Sequence, residues 1–280
     1  MQIAISEPLL DGVSHLVREK LGLYYSERRR RELANGIARA ARAFGFDDAE
    51  ACARWLLDTP LTKSQLDTLA AHLTIGETYF FREHAALDVL RETILPPLLD
   101  PGHNPTRTLR IWSAGCCTGE EPYTIAILLD ELLPNRDDWH ISILATDVNP
   151  RFLEKATRAV YREWSFRRTP ARIREKYFIR EGKNAYRLVP RIQRMVTFSY
   201  LNLIEDAYPS LLNGTASLHL IFCRNVLMYF APDVVQTVLS RFHRALVPEG
   251  WLIVSSVEVS YLVNSPFTPV RFSGATLYRK

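Results

Sequence analysis

The sequence contains little cysteine, which argues against a zinc site or a disulfide scaffold. The four cysteines, at positions 52, 116, 117 and 223, lack the spacing of zinc ligands. Two of them are adjacent, and adjacent cysteines rarely bridge each other because disulfide geometry is demanding. We interpret all four as reduced, small apolar side chains and expect no bound metal.

Long apolar runs are also lacking. No run approaches the roughly 18 residues that a membrane span needs, and the amino terminus lacks the basic-then-apolar profile of a signal peptide. The chain has 280 residues, of which 47% are hydrophobic and 24% charged, so it can bury a sizeable core like an ordinary globular protein. We therefore expect a cytoplasmic location without membrane insertion. We also expect a monomer, because nothing in the sequence demands a larger assembly.

Positive charge is concentrated in one stretch. Residues 151–200 carry 14 basic and 4 acidic side chains, whereas residues 84–150 carry 4 and 10. Most of these cations are arginine, which suits recognition of carboxylates or phosphates. The stretch is either a solvated face or a docking surface for an acidic partner. The run Arg28–Arg31 is better read as an exposed helix face than as a nucleic-acid patch, because residues 1–83 as a whole are not basic.

Hydrophobic periodicity divides the chain into two parts. Residues 1–83 show helical spacing, with a capping box at Thr62 and Gln65, and form a predicted amino-terminal helical domain. Residues 84–280 alternate short apolar strands with amphipathic helices, which predicts an α/β domain with a mostly parallel, doubly wound sheet. A charged segment at about 161–194 interrupts this rhythm, and two alternating runs around Gly182–Asn184 predict a hairpin. We interpret it as an inserted antiparallel β subdomain. The predicted strands of the main sheet are Leu109–Ala114, Ile141–Thr146, Val196–Tyr200, Leu218–Phe222 and Trp251–Ser255.

The segment "RIWSAGCCTGEEPYTIAILL", residues 110–129, predicts a ligand-binding turn between the first strand and its helix. Gly115 and Gly119 let the backbone approach a ligand closely. A dinucleotide fingerprint would need a third glycine, and the carboxylates of Glu120 and Glu121 would repel a phosphate. The residues therefore favour a cationic or neutral ligand rich in hydrogen-bond donors. The same two acids also stabilise the helix dipole, so a purely structural role stays open at this point.

S-adenosylmethionine has the required sulfonium, amino group and ribose diol. Asp147, in "ILATDVN", lies where an acid at the end of the second strand binds ribose hydroxyls. The motifs "WSAGCCTGEEPYTIAILL", "LATDVNPRFLEKA", "IFCRNVLMYF" and "TYFFRE", in this order and spacing, resemble the CheR family, the S-adenosylmethionine-dependent methyltransferases of bacterial chemoreceptors. The resemblance covers essentially the whole chain.

This resemblance implies a fold, an activity and a partner. The fold would be a Rossmann-like methyltransferase domain with a helical amino-terminal domain and an inserted β subdomain. The activity would be methyl transfer from S-adenosylmethionine to glutamate side-chain carboxylates, giving glutamate methyl esters and S-adenosylhomocysteine. The partner would be the cytoplasmic helical bundle of a chemoreceptor, docked through the arginine-rich subdomain. In some relatives that subdomain instead binds a carboxyl-terminal tether peptide of the receptor.

The resemblance also implies site residues. Arg82 and Tyr229 match the proposed catalytic pair. The implied cofactor-binding residues are Thr78, Arg82, Gly115, Glu120, Glu121, Asp147, Asn202, Leu203, Asn225 and Val226. One departure is Gly76, which stands where many members have an asparagine that contacts the cofactor; the change puts one hydrogen bond in doubt.

The chemistry agrees with these residues. A glutamate, with a reference pKa of about 4.3, is already ionised at neutral pH, so no general base is needed. We expect Arg82 to orient the carboxylate and Tyr229 to hold its other oxygen. Exclusion of water and alignment should then carry most of the catalysis, because opposite charges disappear in the reaction. Tyr79, Phe80 and Phe81 are either a dry wall for this site or ordinary core aromatics.

Two other functions compete with this interpretation. A nucleic-acid amino methyltransferase would carry Asp or Asn followed by Pro-Pro and an aromatic after the fourth strand, where this sequence reads "CRNVLMYF". A non-catalytic S-adenosylmethionine-binding regulatory module would have no use for a substrate-orienting arginine, so Arg82 and Tyr229 argue against it.

Overall fold

Helices form the amino-terminal part of the chain. The computed structural model describes residues 5–133 and 135–280. Its first helices are α1 (Glu7–Leu21), α2 (Arg30–Phe44), α3 (Ala49–Asp58) and α4 (Lys63–Leu73). Their apolar faces enclose a core that includes the fully buried side chains of Val13, Val17, Leu33 and Ile37. The predicted capping box at Thr62 and Gln65 is present and begins α4.

After α4, the described part of the chain contains seven further α-helices and ten β-strands. The following helices are α5 (His84–Val89), α6 (Leu95–Leu98), α7 (Glu120–Leu132), α8 (Pro150–Arg158), α9 (Ala171–Tyr177), α10 (Pro190–Gln193) and α11 (Pro232–Ala245). The strands are β1 (Thr108–Ala114), β2 (His140–Asp147), β3 (Val160–Arg162), β4 (Phe178–Glu181), β5 (Ala185–Leu188), β6 (Val196–Tyr200), β7 (Leu218–Phe222), β8 (Leu246–Ile253), β9 (Thr268–Phe272) and β10 (Ala275–Arg279). No helix among the described residues is both long and apolar enough to cross a bilayer.

Seven strands form one twisted sheet in the order β6-β2-β1-β7-β8-β10-β9. The first five run parallel, while β10 is antiparallel to both of its neighbours. The predicted doubly wound sheet is confirmed, because the strand order reverses at β1, with β2 and β6 on one side and β7 and β8 on the other, and helices α7, α8 and α11 follow β1, β2 and β7. Strand β9 was not predicted, since it lies at the sheet edge, contains Pro269 and has no buried residue.

The inserted β subdomain is a separate antiparallel sheet with the order β3-β5-β4. The predicted hairpin joins β4 to β5 through Gly182, whose φ of +70° is accessible to glycine without strain. Phe178 of β4 packs edge-on against Phe80, at 4.9 Å between ring centroids. The insertion therefore shares a core with the segment that follows α4.

The amino-terminal helices contact the sheet region directly. Leu23 forms a β-bridge with Phe230, and the Tyr24 amide donates to the Tyr229 carbonyl at 2.7 Å. The Asn202 side chain donates to the carbonyl of Lys20 at 2.8 Å. These bonds hold α1 beside the carboxyl ends of the parallel strands. The domain boundaries at residues 83 and 84 stay a prediction.

Candidate active site

A cavity of about 390 Å³ lies where the parallel strands end. Segments that follow β1, β2, β6 and β7 form one side, and α1, the segment after it and the segment after α4 form the other. The predicted site residues that line it are Thr78, Arg82, Gly115, Glu121, Asp147, Asn202, Leu203, Asn225, Val226 and Tyr229. The fold thus brings together residues that are up to 151 positions apart in the sequence.

Gly115 shapes the floor of the cavity. Its φ is +78°, and a Cβ atom placed there would lie 2.4 Å from Cγ2 of Val226. The amides of Gly115 and Cys116 both donate to the Thr146 carbonyl, at 2.8 and 2.9 Å. Only glycine permits this turn together with the close approach of the segment after β7.

Asp147 is fixed beside that turn. Its two carboxylate oxygens accept the Cys117 amide at 2.8 Å and the Asn149 amide at 2.9 Å. Burial raises the pKa of Asp147 to about 6, although these backbone donors favour the charged form. Each oxygen keeps a further lone pair for a ligand hydroxyl.

Glu120 and Glu121 face different surroundings. The Glu120 carboxylate accepts hydrogen bonds from Thr118 at 2.6 Å and Ser165 at 2.9 Å, and it lies outside the cavity wall. Glu121 lines the cavity, where it accepts the Ser113 hydroxyl at 2.7 Å and pairs with Arg224 at 3.3 Å. Burial raises the pKa of both carboxyls. Glu120 instead joins the β1–α7 turn to the inserted subdomain.

Arg82 lies in a strained turn. Phe81 and Glu83, on either side of it, have φ angles of +58° and +57°, which are uncommon for residues with side chains. The Arg82 guanidinium donates to the Glu77 carbonyl at 2.8 Å and is only partly buried at the cavity wall. Of the three aromatics before it, Tyr79 lines the cavity, whereas Phe80 and Phe81 are buried in the core.

Gly76 is packed beneath a neighbouring ring. A Cβ atom at this position would lie 2.7 Å from Cζ of Phe152, which itself lines the cavity. The space that a side chain at position 76 would need is therefore filled by Phe152.

Glu258 holds the segment after β7. This fully buried carboxylate accepts the amides of Asn225 and Val226, each at 2.7 Å, and the Ser255 hydroxyl at 2.6 Å. Ser255 and Glu258 form a local capping box, but nothing in the sequence pattern pointed to the amides of Asn225 and Val226, which lie about 30 positions away. The side-chain oxygen of Asn225 is buried and has no hydrogen-bond partner among the described residues. A buried acceptor without a partner at the cavity wall can accept a hydrogen bond from a ligand that carries donors.

Two arginines at the cavity also escaped the sequence analysis. Arg224 is 8% exposed and pairs with Glu121 and Glu83. Arg29 belongs to the run that was interpreted as an exposed helix face. That interpretation is wrong for Arg29, whose guanidinium lies 5.1 Å from the ring centroid of Tyr25 and 5.2 Å from that of Tyr229. The only signal in the sequence was the aromatic residue four positions earlier.

The two ends of the cavity differ in charge. Asp147 and Glu121 line the side formed after β1 and β2, whereas the Arg29 guanidinium lies 5.2 Å from the Tyr229 ring centroid and Arg82 adds positive charge that acts on the same phenol. Burial raises the pKa of Tyr229, and these two guanidiniums oppose the rise. One end therefore suits a cation rich in donors, and the other suits an anion. No group of three or more His, Cys, Asp or Glu side chains within the described ranges is arranged to hold a metal ion.

Comparison with known proteins gives a consistent picture. The family model described as "CheR methyltransferase, SAM binding domain" matches residues 76–272. A chemotaxis protein methyltransferase of Borreliella burgdorferi is 30% identical over 260 residues, which cover 92% of this chain and 90% of the relative. Chemotaxis protein methyltransferase 2 of Vibrio cholerae is 33% identical over 216 residues, or 77% and 73% of the two chains. A relative from Salmonella typhimurium is 30% identical over 267 residues, or 92% and 85%.

The matched family model is an S-adenosylmethionine-binding domain, so S-adenosylmethionine is the cofactor, and the residues of this cavity fit it. Asp147 offers acceptors to a diol, the unpaired Asn225 oxygen accepts a further donor, and the bare backbone at Gly115 leaves room for close approach.

Replacing Gly115 with alanine should weaken cofactor binding. Gly115→Ala puts a methyl group against Val226, and we expect the affinity for S-adenosylhomocysteine to fall at least about tenfold, measured by calorimetry. Gly182→Ala is the matched control, because φ is +70° there but nothing lies within 4 Å. Both variants should lose about 1–2 kcal/mol of stability from left-handed backbone strain. Equal affinities in the two variants would contradict the role of the close contact.

Cofactor binding should also depend on pH through Asp147. Because its pKa is raised to about 6, the carboxylate loses its charge as the pH falls through 6, and affinity for S-adenosylhomocysteine should fall with it. Asp147→Asn should bind S-adenosylhomocysteine weakly at every pH and lack this step; the same step in both proteins would point to another group.

The raised pKa of Asp147 also affects the stability of the protein. The folded state holds the carboxyl proton more tightly than the unfolded state, so the free energy of unfolding falls as the pH rises from about 4 to about 6.

Proposed function

Because the chain belongs to the CheR family of S-adenosylmethionine-binding methyltransferases, we propose that it methylates glutamate side chains of chemoreceptors. The products are glutamate γ-methyl esters and S-adenosylhomocysteine, and the role is adaptation in chemotaxis or a related chemosensory pathway. Support comes from the curated relatives, which are named chemotaxis protein methyltransferases.

The observation that carries the proposal is the cationic end of the cavity. The Arg29 guanidinium lies 5.2 Å from the Tyr229 ring centroid there, Arg82 adds positive charge that acts on the phenol, and the carboxylates of Asp147 and Glu121 lie on the side formed after β1 and β2. A substrate carboxylate matches two guanidiniums and a phenolic donor in charge and in hydrogen bonding. A substrate amine would be repelled, so this end disfavours methyl transfer to nitrogen.

Each residue has a defined task in the reaction. When bound, the cofactor supplies the methyl group as an electrophile on its sulfonium. Arg82 binds and aligns the carboxylate, and the Tyr229 hydroxyl donates to the oxygen that does not react. No residue needs to remove a proton, because the carboxylate is already ionised. Apolar side chains of Leu23, Val226 and Phe230 limit water at the cavity wall, which favours a step that neutralises opposite charges.

The rim of the cavity supports a protein substrate. Exposed apolar side chains line part of its wall: Met228 is 40% exposed, Ile75 52% and Val257 62%. Apolar side chains beside a charged cleft are typical of protein interaction sites. A glutamate on a helix surface, flanked by apolar neighbours, would place its carboxylate in the cavity and its neighbours on this rim.

The inserted β subdomain is the proposed docking surface. Six of the fourteen cations between residues 151 and 200 pair with carboxylates. The other eight are exposed and form no ion pair within residues 5–133 and 135–280, and six of them lie in the insertion, namely Arg162, Arg168, Lys176, Arg180, Lys183 and Arg194. An acidic receptor surface would complement this charge.

The reaction can be tested with labelled cofactor and a chemoreceptor cytoplasmic fragment. We expect transfer of labelled methyl to the receptor and release of volatile methanol in mild alkali, which identifies a carboxyl ester. Arg82→Ala should lower turnover about 10- to 100-fold, because a charge-assisted hydrogen bond to the substrate is lost. Tight cofactor binding without methanol from any receptor fragment would overturn the proposal and favour a non-catalytic regulatory module.

Docking through the inserted subdomain predicts a difference in salt sensitivity. Raising ionic strength from about 0.05 to about 0.5 M should increase the KM for receptor at least about tenfold, while the affinity for S-adenosylhomocysteine changes little. Replacing Arg180 and Lys183 with glutamine should reduce this dependence. Arg244→Gln, an exposed cation on α11, is the matched control. If salt affects both affinities equally, the docking surface lies elsewhere.

A further inference from the structure

Arg224 occupies an unusual position behind the reacting groups. It lies two residues after the end of β7, its side chain is 4% exposed, and it contacts the turn that carries Arg82. Its guanidinium donates to the Arg82 carbonyl at 2.5 Å, lies 3.6 Å from the Glu83 carboxylate and lies 3.3 Å from that of Glu121. The turn at residues 81–83, the first turn of α7 and the segment after β7 therefore meet at one buried cation.

The turn that Arg224 contacts would not hold its shape alone. Phe81 and Glu83 both have left-handed φ angles, a conformation that residues with side chains avoid unless their surroundings impose it. Two anchors besides Arg224 act on the turn. The Phe81 amide donates to the Thr124 hydroxyl at 3.1 Å, and the Glu83 carboxylate accepts the Ser256 amide at 3.2 Å.

Charge explains why an arginine is present at this position. The side chain of Glu121 is only 14% exposed, and a carboxylate largely removed from water needs a cationic or hydrogen-bonding partner. The planar guanidinium can reach two carboxylates and a carbonyl at once, whereas a lysine ammonium is a compact point charge without that fork. Arg224 thereby couples the first turn of α7, which bears Glu121, to the backbone of Arg82.

We propose that Arg224 is a positioning residue that orients Arg82 towards the substrate end of the cavity. The inference rests on the proposed function, because the task of Arg82 belongs to that function. Arg224 acts through the carbonyl of Arg82 and the side chain of Glu83. It keeps the strained turn in the conformation that presents the Arg82 guanidinium at the cavity wall, over the ring of Tyr79.

Hydrogen exchange tests the positioning without any substrate. In Arg224→Lys we expect the amides of residues 79–84 to exchange at least about tenfold faster than in the original protein, with the Phe81 amide affected most. Arg136→Lys is the matched control, because Arg136 also donates to a backbone carbonyl, that of Arg191, but lies just before β2, at the end of the strand away from the cavity. Glu83→Gln, which removes one partner of Arg224 near the surface, is the second variant if Arg224→Lys does not fold. Unchanged exchange in residues 79–84 overturns the inference.

Kinetics then separate positioning from a general structural effect. If Arg224 acts through Arg82, the variant with both Arg82→Ala and Arg224→Lys should turn over receptor no more slowly than Arg82→Ala alone. Arg224→Lys by itself should lower kcat about tenfold and change the affinity for S-adenosylhomocysteine less than about fivefold. Multiplicative losses in the double variant overturn the inference. If the original protein methylates no receptor fragment, the proposed function fails, and hydrogen exchange still decides the role of Arg224.

Discussion

The close contact between Gly115 and Val226 is the constraint on which the cavity depends. With no side chain at position 115, the turn after β1 can lie against the segment that follows β7. The same turn is bonded to β2 through the Thr146 carbonyl and the Asp147 carboxylate. These contacts fix the ends of β1, β2 and β7 relative to one another. Backbone packing therefore sets the positions of the residues that line the cavity.

Charge is then divided across this rigid floor. The carboxylates of Asp147 and Glu121 lie on the side proposed for the cationic cofactor, and the Arg29 and Arg82 side chains lie at the part of the cavity proposed for an anionic substrate. Because isolated buried charges are costly, each needs a partner, and Arg224 supplies one for Glu121. This division of charge directs the cationic and the anionic reactant to different but adjacent parts of the cavity. It suits a reaction that depends on alignment and exclusion of water more than on proton transfer.

The segment from Thr78 to Glu83 lies between all three parts of the molecule. The Phe80 ring packs in the aromatic core of the inserted subdomain, and the Phe80 amide donates to the Ser165 carbonyl at 2.9 Å. Thr124 and Arg224 hold it against the main sheet. The amino-terminal helices add Arg29 across the cavity. An insertion and a helical appendage thus help to build the site, in addition to any part they play in docking.

Local pattern alone determined most of the secondary structure, though not the edge strand β9, and the position of the turn between β1 and α7. Helical spacing predicted the amino-terminal helices, strand and helix alternation predicted the parallel sheet, and Gly115 with Asp147 marked the strand ends. These signals depend on neighbouring residues, so they are readable in sequence. Only the tertiary structure decided that Glu120 turns away from the cavity while Arg29 turns towards it, and that Glu258 and Arg224 brace the site. Such orientations depend on partners that lie far away in the chain, and only the packing of the folded protein brings those partners within hydrogen-bonding distance.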